Sequence, residues 1–467
     1  MTIDNVKWTK TIINDQKLIQ MLKRIFTSEV SMFVGEEVRL KGWLRLRRDH
    51  GKLIFLDLRD KDGIVQIVVT PKISESAYEL AKDLRSEDVI EITGKVNKRP
   101  ENAVNKDLDT GTVEMEATDI KILSKAETLP FDMGSDSLNL ELPTLLDNRS
   151  LTLRHPQIAG IFKVQAALLK GFRKAAEDLG CVEIVVPTVV VDATEGGAEL
   201  FQIDYYGRKA FLAQSPQLYK QIMVSIFERV YTIAHAYRAE PSVTTRHLSE
   251  TTQMDIELGF VEFAELLDIL ENVAVEMIKY IEENCNKILK NSGTGKIAFG
   301  KIPRLTVREA QEIILKEFKR DNRKEKDLAP QDEVDICKWA KEKHISDFVT
   351  ITHFPTMAKP FYTMPDPNNP EYSLSYDLLF RGVEVMSGSQ RINDYNKLIE
   401  NIKNRGMDPK KFEIYLQAFK YGMPIEGGFS FGMERITMKL LGLQNVREAS
   451  LFPRDMERVD EKLSNFK

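Results

Sequence analysis

Cysteine is scarce in this sequence. Among 467 residues there are three cysteines, Cys181, Cys285 and Cys337. None of them stands in a Cys-x-x-Cys pair or beside a histidine at ligand spacing. The pattern therefore supports neither a disulfide framework nor a zinc site, and we interpret all three as reduced thiols.

Long apolar runs, a leader-like N-terminus and a large net charge are also missing. No apolar run approaches the roughly 18 residues that a membrane span needs. Residues 1–8 resemble neither a secretory signal nor a transit peptide, so we expect a cytoplasmic protein. The net charge is only −5, so any contact with nucleic acid must come from local basic patches. A Walker-type phosphate loop and a dinucleotide-binding βαβ fingerprint are absent as well.

The length predicts two or three domains, and the sequence pattern changes along the chain. Residues 1–33 carry a short helical pattern and form an N-terminal extension to which we assign no role. Residues 34–126 contain five short runs of alternating apolar and polar residues, with a helical segment between the third and the fourth. This order predicts a small closed β-barrel of the oligonucleotide-binding (OB) type, with a sandwich as the alternative. We expect Asp62-Gly63 to form a hairpin turn with a positive φ angle.

A second domain is predicted over residues 151–467, after a hinge at 127–150. Its first helix places Ile161, Val164, Leu168 and Phe172 on one face. Strand-like runs then alternate with long helices, which favours an α+β domain with an antiparallel sheet flanked by helices. The highly charged segment 287–341 is interpreted as a peripheral insertion.

Basic and aromatic side chains coincide in the predicted barrel. Arg48 and two further arginines lie near Trp43, and Phe55 and Gln66 fall on the strands of the adjoining hairpin. Guanidinium groups and aromatic rings can stack on unpaired bases, and an amide can read a base edge. The alternative is that the aromatic residues pack the barrel and the arginines form a solvated face.

A polar loop in the second domain could bind phosphate. Tyr237-Arg238-Ala239-Glu240 closes a strand-like run, and the loop that follows leads into Arg246-His247-Leu248. Because the planar fork of arginine suits phosphate oxygens, Arg238, Arg246 and His247 are candidate phosphate ligands. A surface hairpin with scattered ion pairs is the alternative.

A glycine-rich strand near the C-terminus is a second candidate. Gly427 to Gly432 permits close backbone approach to a flat ligand, and Arg435 follows in the first turn of a helix, where it can meet a phosphate. Asp377 and Glu384 lie in two successive strand-like segments, with Ser387 just beyond them. Their side chains offer the hard oxygen atoms that Mg²⁺ prefers. Taken alone, the glycines are compatible with a structural role and the acids with a solvated surface.

Together these segments resemble the three motifs of class II aminoacyl-tRNA synthetases, in the subgroup that handles aspartate, asparagine and lysine. Helix 158–179 with the strand ending at Pro187 resembles motif 1, the segment from Tyr237 to Leu248 resembles motif 2, and Gly432-Met433-Glu434-Arg435 resembles motif 3. The resemblance runs from about Phe26 to Val459. It implies an N-terminal OB-fold anticodon-binding barrel, a class II catalytic domain without the large bacterial insertion, and a homodimer formed through motif 1.

Within the subgroup, one further segment resembles the aspartate-specific signature, and another resembles the family's second side-chain-binding segment. They are Gln214-Ser215-Pro216-Gln217-Leu218-Tyr219-Lys220-Gln221 and Ser387-Gly388-Ser389-Gln390-Arg391. The resemblance implies ATP-dependent activation of aspartate to aspartyl-adenylate and its transfer to the 3′ end of tRNA-Asp, with tRNA-Asn left open. Lys220 and Arg391 would be poorly paired with the neutral side chain of asparagine. The alternatives are an asparaginyl enzyme and a synthetase-like binding protein that no longer charges tRNA.

The resemblance also implies roles for individual residues. The aspartate site would comprise Glu195, Gln217, Lys220, Asp255, Ser387 and Arg391. The ATP site would comprise Arg238, Glu240, Arg246, His247, Leu248, Glu384, Phe431, Gly432 and Arg435, with Arg238, Glu240 and Arg435 as the catalytic residues. Magnesium would be held by Asp377, Glu384 and Ser387, and the anticodon by Arg48, Phe55 and Gln66. The mobile loop over the amino acid would be 194–197, and Thr251 replaces an aromatic residue that many relatives have near the adenine.

Overall fold

The computed structural model describes residues 24–135, 137–191, 199–241 and 244–459. The chain divides into two compact units, Met1–Asn139 and Leu140–Lys467. Within the described ranges, no helix has both the length and the apolar character that crossing a membrane would require.

The first unit is a closed five-stranded barrel with the strand order β1-β2-β3-β5-β4. Its strands are β1 (Glu37–His50), β2 (Leu53–Arg59), β3 (Ile64–Val69), β4 (Val89–Lys98) and β5 (Val113–Ser124), with helix α1 (Glu75–Lys82) between β3 and β4. The β3–β5 pair is parallel and the other pairs are antiparallel. The OB-fold prediction is confirmed.

Alternation of side chains along the strands forms the barrel core. In β1, Val38, Leu40 and Leu44 are buried while their neighbours are partly exposed, as expected for a strand with one face on a core. The turn between β2 and β3 differs from the sequence-based expectation. The backbone N–H groups of Asp62 and Gly63 donate to the Asp60 carboxylate at 2.9 and 3.2 Å, and neither residue has a positive φ. The Asp60 side chain therefore stabilises this turn without left-handed backbone.

The second unit is built on an eight-stranded sheet with the order β12-β13-β16-β17-β18-β11-β10-β6. Its neighbouring strands are antiparallel except for the β12–β13 and β10–β6 pairs. The strands of this unit, including two small sheets, are β6 (Val182–Glu183), β7 (Val189–Val190), β8 (Gln202–Tyr205), β9 (Arg208–Leu212), β10 (Arg229–Tyr237), β11 (Glu250–Gly259), β12 (Arg304–Thr306), β13 (Phe348–Thr352), β14 (Pro365–Asp366), β15 (Asn369–Ser373), β16 (Ser375–Phe380), β17 (Val383–Gln390) and β18 (Glu426–Gly432).

Helices flank this sheet, as predicted. They are α2 (Leu142–Asp147), α3 (Arg149–Thr152), α4 (Pro156–Asp178), α5 (Gln217–Phe227), α6 (Phe263–Asn291), α7 (Val307–Phe318), α8 (Pro330–His344), α9 (Tyr395–Asn404), α10 (Glu413–Lys420) and α11 (Met433–Leu441). Helix α4 buries the predicted face, and its Phe172 shares the largest core with Leu270 of α6 and with Ile256 and Phe429 of the sheet. The other face of the sheet is thereby left for polar side chains.

The charged segment 287–341 is packed into the domain. It supplies the edge strand β12 and helices α7 and α8. Val307, Ala310, Ile336 and Ala340 are buried in a common core with Val349 of β13. Its many charges lie on the outer faces of amphipathic helices, which explains why the sequence reads as a solvated insertion.

Candidate active site

The site lies on four neighbouring strands in the middle of the sheet. Asp377 of β16 pairs with Ser387 of β17, Ser387 pairs with Ser430 of β18, and Ser430 pairs with Asp255 of β11. Residues paired across antiparallel strands project from the same face. A row of four polar side chains, far apart in sequence, therefore crosses the sheet.

A cavity of about 230 Å³ opens above this row. The sequence-predicted site residues that line it are Gln217, Lys220, Arg238, Arg246, His247, Leu248, Glu384, Ser387, Arg391, Gly432 and Arg435. Thr251 lines it as well. The sheet and the N-terminal end of α5 thus bring together residues from the candidate amino-acid and phosphate segments.

One end of the cavity is a buried cluster of two cations and two acids. Lys220 Nζ lies 2.8 Å from Asp255 Oδ1 and 3.1 Å from Glu257 Oε2. Arg391 Nε lies 2.7 Å from Glu257 Oε1, and its NH2 group donates to the Gly428 carbonyl at 2.9 Å. All four side chains are almost completely buried. Burial alone would lower the pKa of Lys220, but the two carboxylates raise it, so the ammonium is charged.

Gln217 connects this cluster to α5. Its Oε1 accepts a long hydrogen bond of 3.5 Å from Arg391, and its Nε2 donates to Gln221 Oε1 at 3.0 Å. Ser430 completes the floor by donating to Asp255 Oδ2 at 2.9 Å. Each side chain of the cluster is therefore held by at least one other, which keeps the pocket in a single arrangement.

The other end of the cavity carries cations suited to phosphate. Arg246 NH1 contacts Glu333 at 2.9 Å, and Arg435 NH1 donates to the Glu384 carbonyl at 3.1 Å. His247 Nδ1 lies 2.5 Å from Thr244 Oγ1. Burial, and then the nearby Arg435, lower the pKa of His247 below its usual value. Burial and the Glu384 carboxylate raise the pKa of Glu333 to about 7.

The candidate metal ligands are the side-chain oxygens of Asp377, Glu384 and Ser387. Asp377 is buried, and its Oδ2 contacts Lys359 Nζ at 3.0 Å. Burial raises the pKa of Asp377 to about 6. The Lys359 cation and a hydrogen bond from Ser387 oppose this shift, and the Glu384 carboxylate contributes to it. Two carboxyl groups and a hydroxyl offer oxygen ligands that fit a divalent cation whose remaining ligands come from substrate phosphates. Over the described ranges, no three acidic, histidine or cysteine side chains group as a full protein cage for a metal.

Comparison with known proteins identifies the family. Residues 141–456 match the family described as "tRNA synthetases class II (D, K and N)", and residues 38–123 match the "OB-fold nucleic acid binding domain". This chain belongs to the class II tRNA synthetases. The synthetase is therefore an enzyme, an aminoacyl-tRNA ligase that uses ATP.

Its relatives are similar over almost their full length. An aspartate–tRNA(Asp/Asn) ligase of Archaeoglobus fulgidus is 39% identical over 443 residues, covering 93% of this chain and 99% of the relative. An aspartate–tRNA(Asp) ligase of Pyrococcus horikoshii is 38% identical, with 94% and 100% covered. Among solved structures, the asparaginyl-tRNA synthetase of Pyrococcus horikoshii with asparaginyl-adenylate matches with a TM-score of 0.85, 30% identity and coverage of 94% and 100%. The aspartyl-tRNA synthetase of Entamoeba histolytica has a TM-score of 0.83, 30% identity and coverage of 94% and 93%.

The structure of the synthetase corrects one site residue. We expected Phe431 to contribute to the ATP site, but its side chain is fully buried and packs edge-on against Phe429 at 5.6 Å. Neighbouring residues of a strand face opposite sides. Ser430 and Gly432 therefore face the cavity while Phe431 faces the core, where its partners in register are Met254 and Met386.

Three other predicted residues do not line the cavity. Asp255 and Asp377 lie directly beneath residues that do, bonded to Lys220 and Lys359. Glu240 follows the last residue of β10 by three positions and is partly exposed. Glu195 and the predicted mobile loop 194–197 lie outside the described residues.

The candidate anticodon residues converge on one outer surface of the barrel. Arg48 and Phe55 are paired in register across β1 and β2. Arg48 NH2 contacts Asp57 at 2.8 Å and Gln66 Oε1 at 3.4 Å. Phe55 is only partly buried and meets His50 edge-on at 5.6 Å. An aromatic face, a guanidinium and an amide are thus available together on the surface.

Several side chains of the site were not among the predicted site residues. Glu257 pairs with both cations of the buried cluster, and Lys359 contacts Asp377. The alternation of Asp255 and Glu257 along β11 was a usable signal, because acids at alternate strand positions share a face. Glu426, at the start of β18, is fully buried and bonded to Gln221. Nothing in its sequence neighbourhood indicates that position.

Proposed function

We propose that this synthetase activates aspartate with ATP and transfers the aspartyl group to the 3′ end of tRNA-Asp. The observation that carries the proposal is the buried pair of cations, Lys220 and Arg391, at the closed end of the cavity. Aspartate and asparagine have nearly the same shape, so a pocket has to separate them by charge and hydrogen bonding. Lys220 and Arg391 both line the cavity, and a side-chain carboxylate can interact with their charges while a neutral amide cannot, which favours the acid over the amide. The sequence relatives named as aspartate–tRNA ligases support the same choice.

In this proposal, Lys220 and Arg391 bind the side-chain carboxylate of aspartate. Gln217 and Asp255, with Glu195, orient its ammonium group, and Ser387 borders the same pocket. Arg238 holds the α-phosphate where the α-carboxylate of aspartate attacks in line, and Glu240 supports that strand end. The rate enhancement comes from positioning and from stabilising developing charge.

The outer phosphates of ATP are assigned to the opposite end of the cavity. Arg246, His247 and Arg435 lie there, and Leu248, Gly432 and Thr251 form the wall against which the adenosine rests. Asp377, Glu384 and Ser387 would hold Mg²⁺. A divalent cation bound there would neutralise negative charge on the phosphates of ATP. In the structure, Glu384 forms an ion pair with Arg435, and Asp377 forms one with Lys359.

We assign tRNA binding to the barrel and dimer formation to motif 1. Residues 34–126 are the anticodon-binding domain, 127–150 the hinge and 151–467 the catalytic domain. Strand β6 is the last strand at one edge of the sheet, and beyond it Val185 is 97% exposed. An exposed apolar edge of this kind fits a second copy of the same chain, with Pro187 near the two-fold axis.

The deciding experiment is aminoacylation of purified tRNA-Asp and tRNA-Asn transcripts, with aspartate and separately with asparagine. We expect charging with aspartate. Activity on tRNA-Asp alone would indicate a discriminating enzyme, and activity on both transcripts a non-discriminating one. Charging with asparagine, or with neither amino acid, would contradict the proposal.

Lys220→Leu tests the same pocket. It is expected to lose aspartate-dependent ATP–pyrophosphate exchange by roughly a hundredfold or more, because it removes a cation assigned to the substrate carboxylate and leaves the buried Asp255 without its cation. The affinity for ATP should hardly change. Lys279→Leu is the matched control, since Lys279 is an exposed lysine paired with Glu276 on α6. Equal losses for aspartate and ATP would contradict the assigned role.

A further inference from the structure

Glu426 is a carboxyl group in a position where an ionised acid is costly. It is the first residue of β18, and none of its surface is exposed. Its Oε1 accepts a hydrogen bond from Gln221 Nε2 at 2.8 Å. In the described part of the chain, no donor reaches its buried Oε2. A buried carboxylate normally accepts several hydrogen bonds or pairs with a cation, so this environment suits the neutral acid.

A second acceptor without a donor lies in the same region. Gln390 Nε2 donates to the backbone carbonyl of Glu426 at 2.8 Å. The Oε1 of Gln390 is buried, and among the described residues it has no hydrogen-bond partner. A proton on Glu426 Oε2 adds a donor to a region where two acceptors lack one. Protonation therefore removes a buried negative charge that no donor at Oε2 stabilises.

Hydrogen bonds connect Glu426 to the amino-acid pocket. Gln221, which donates to Glu426, accepts at its Oε1 from Gln217 at 3.0 Å and from Tyr415 at 3.2 Å. Gln217 Oε1 in turn faces Arg391. With these donors and acceptors, the amide of Gln217 has only one orientation that satisfies both neighbours. Glu426 thus determines how Gln217 is presented to the pocket.

Charge balance leads to the same conclusion. In the buried cluster, Lys220 and Arg391 offset Asp255 and Glu257. The charged and titratable groups facing Glu426 are Glu257 from β11, Lys220 from α5, Arg391 after β17 and Tyr415 from α10. Burial, and then Glu257, raise the pKa of Glu426 well above its usual value. An ionised Glu426 would leave a surplus of negative charge where an acidic substrate has to bind.

We propose, on the basis of the proposed function, that Glu426 is a positioning residue that prepares this pocket for aspartate. It acts as a neutral carboxylic acid, anchors Gln221 and through it Gln217, and leaves the charges of Lys220 and Arg391 available to the substrate carboxylate. It touches neither the substrate nor ATP.

The test compares two substitutions of Glu426 by aspartate-dependent ATP–pyrophosphate exchange. Glu426→Leu removes the acceptor for Gln221 and is expected to raise the KM for aspartate roughly ten- to a hundredfold, the effect of leaving a buried polar group unpaired. The KM for ATP should stay the same. Glu426→Gln keeps an acceptor, a neutral charge and the shape, so it should recover most of the lost affinity. Glu87→Gln, a buried acid of the barrel paired with Arg59, is the control.

Two kinetic outcomes would overturn the inference. If Glu426→Gln binds aspartate as poorly as Glu426→Leu, the negative charge itself is needed. If Glu426→Leu raises both KM values together, the residue has a general structural role. Thermal unfolding establishes that each variant is folded, and Glu426→Met, which is closer in volume to glutamate, replaces the leucine variant if that one does not fold.

An infrared difference spectrum between the wild-type protein and Glu426→Gln measures the protonation state directly, without any enzyme activity. At neutral pH this difference spectrum should contain the protonated-carboxyl stretch of a single group that the variant lacks, because carboxyls that both proteins share, such as Glu434, cancel. A missing band would overturn the proposal for Glu426 and leave the proposed function standing. Failure of the wild-type enzyme to activate aspartate would overturn the proposed function and leave the spectrum to decide the state of Glu426.

Discussion

Glu434 illustrates how one buried side chain links motif 3 to the sheet. It lies in the first turn of α11 with 5% of its surface exposed, and both carboxylate oxygens accept from the Thr252 backbone N–H, at 3.1 and 3.2 Å. Burial raises the pKa of this carboxyl to about 7, although the hydrogen bonds from the backbone oppose the shift. A carboxyl that prefers its proton in the folded state makes stability depend on pH.

The sign of that dependence gives a prediction. Between the ordinary value of about 4.5 and about 7, the folded state holds a proton on Glu434 that the unfolded state has released. The contribution of Glu434 is therefore present at acidic pH and is lost as the pH rises towards 7, at up to about 1.4 kcal/mol per pH unit. Glu434→Gln should flatten the pH dependence of the free energy of unfolding in this window, measured by denaturant titration at several pH values. An unchanged slope would mean that Glu434 is ionised in the folded protein.

Strand β18 illustrates what the sequence can and cannot predict about an element. The glycine-rich run before motif 3 is recognisable, and its proximity to the cavity follows from the family resemblance. The run Phe429-Ser430-Phe431 alternates apolar and polar residues, which puts both rings on one face. This short pattern does not say whether that face meets the core or a flat ligand. Which face of β18 meets the core depends on its pairing with β11 and β17, and our expectation for Phe431 was wrong for that reason. In the barrel, by contrast, the alternation is strong, and the predicted strands agree with the observed ones.

The glycines of β18 are needed for close packing. A methyl group on Gly428 would collide with the Glu257 carboxylate and with the Ile256 carbonyl. Gly428→Ala should therefore push Glu257 away from Arg391 and reduce the free energy of unfolding by about 1–3 kcal/mol, with weaker binding of aspartate. Gly63→Ala is the control, because its added methyl would meet only the Thr27 hydroxyl at 3.6 Å, and it should change stability by less than about 0.5 kcal/mol. A Gly428→Ala protein as stable as the wild type would show that the strands can separate without cost.

Because the chain has two compact units, we expect that tRNA recognition and amino-acid activation can be altered independently by substitution. The barrel contains the candidate anticodon residues, and the second unit contains the whole candidate site for amino acid and ATP. The sequence indicated this division through its change from alternating to helical periodicity. It could not indicate residues such as Glu426 or Lys359, since their roles arise only when distant segments meet in the folded domain.

A substitution in the barrel should therefore act on tRNA alone. Phe55→Ala is expected to raise the KM for tRNA in aminoacylation by roughly five- to a hundredfold, the loss of one base stacked on an aromatic ring. ATP–pyrophosphate exchange without tRNA should be unaffected. Phe33→Ala is the control, as Phe33 is a partly buried aromatic residue that precedes the first residue of β1, whereas Arg48 lies near the other end of that strand. A parallel loss in pyrophosphate exchange would contradict the separation of the two steps.

The position of β18 within the sheet also bears on how the protein is made. Strand β18 lies between β17 and β11, yet of the strands in the described residues it is the last to be synthesised. The barrel can fold while the rest of the chain is still in the ribosome. Until residues 426–432 emerge, however, the sheet consists of two separate halves, each with an unpaired edge that is meant to be internal. Such edges invite pairing with other chains. A premature stop codon shortly before β18 would therefore produce a truncated chain that is prone to aggregate, and not merely an enzyme without motif 3.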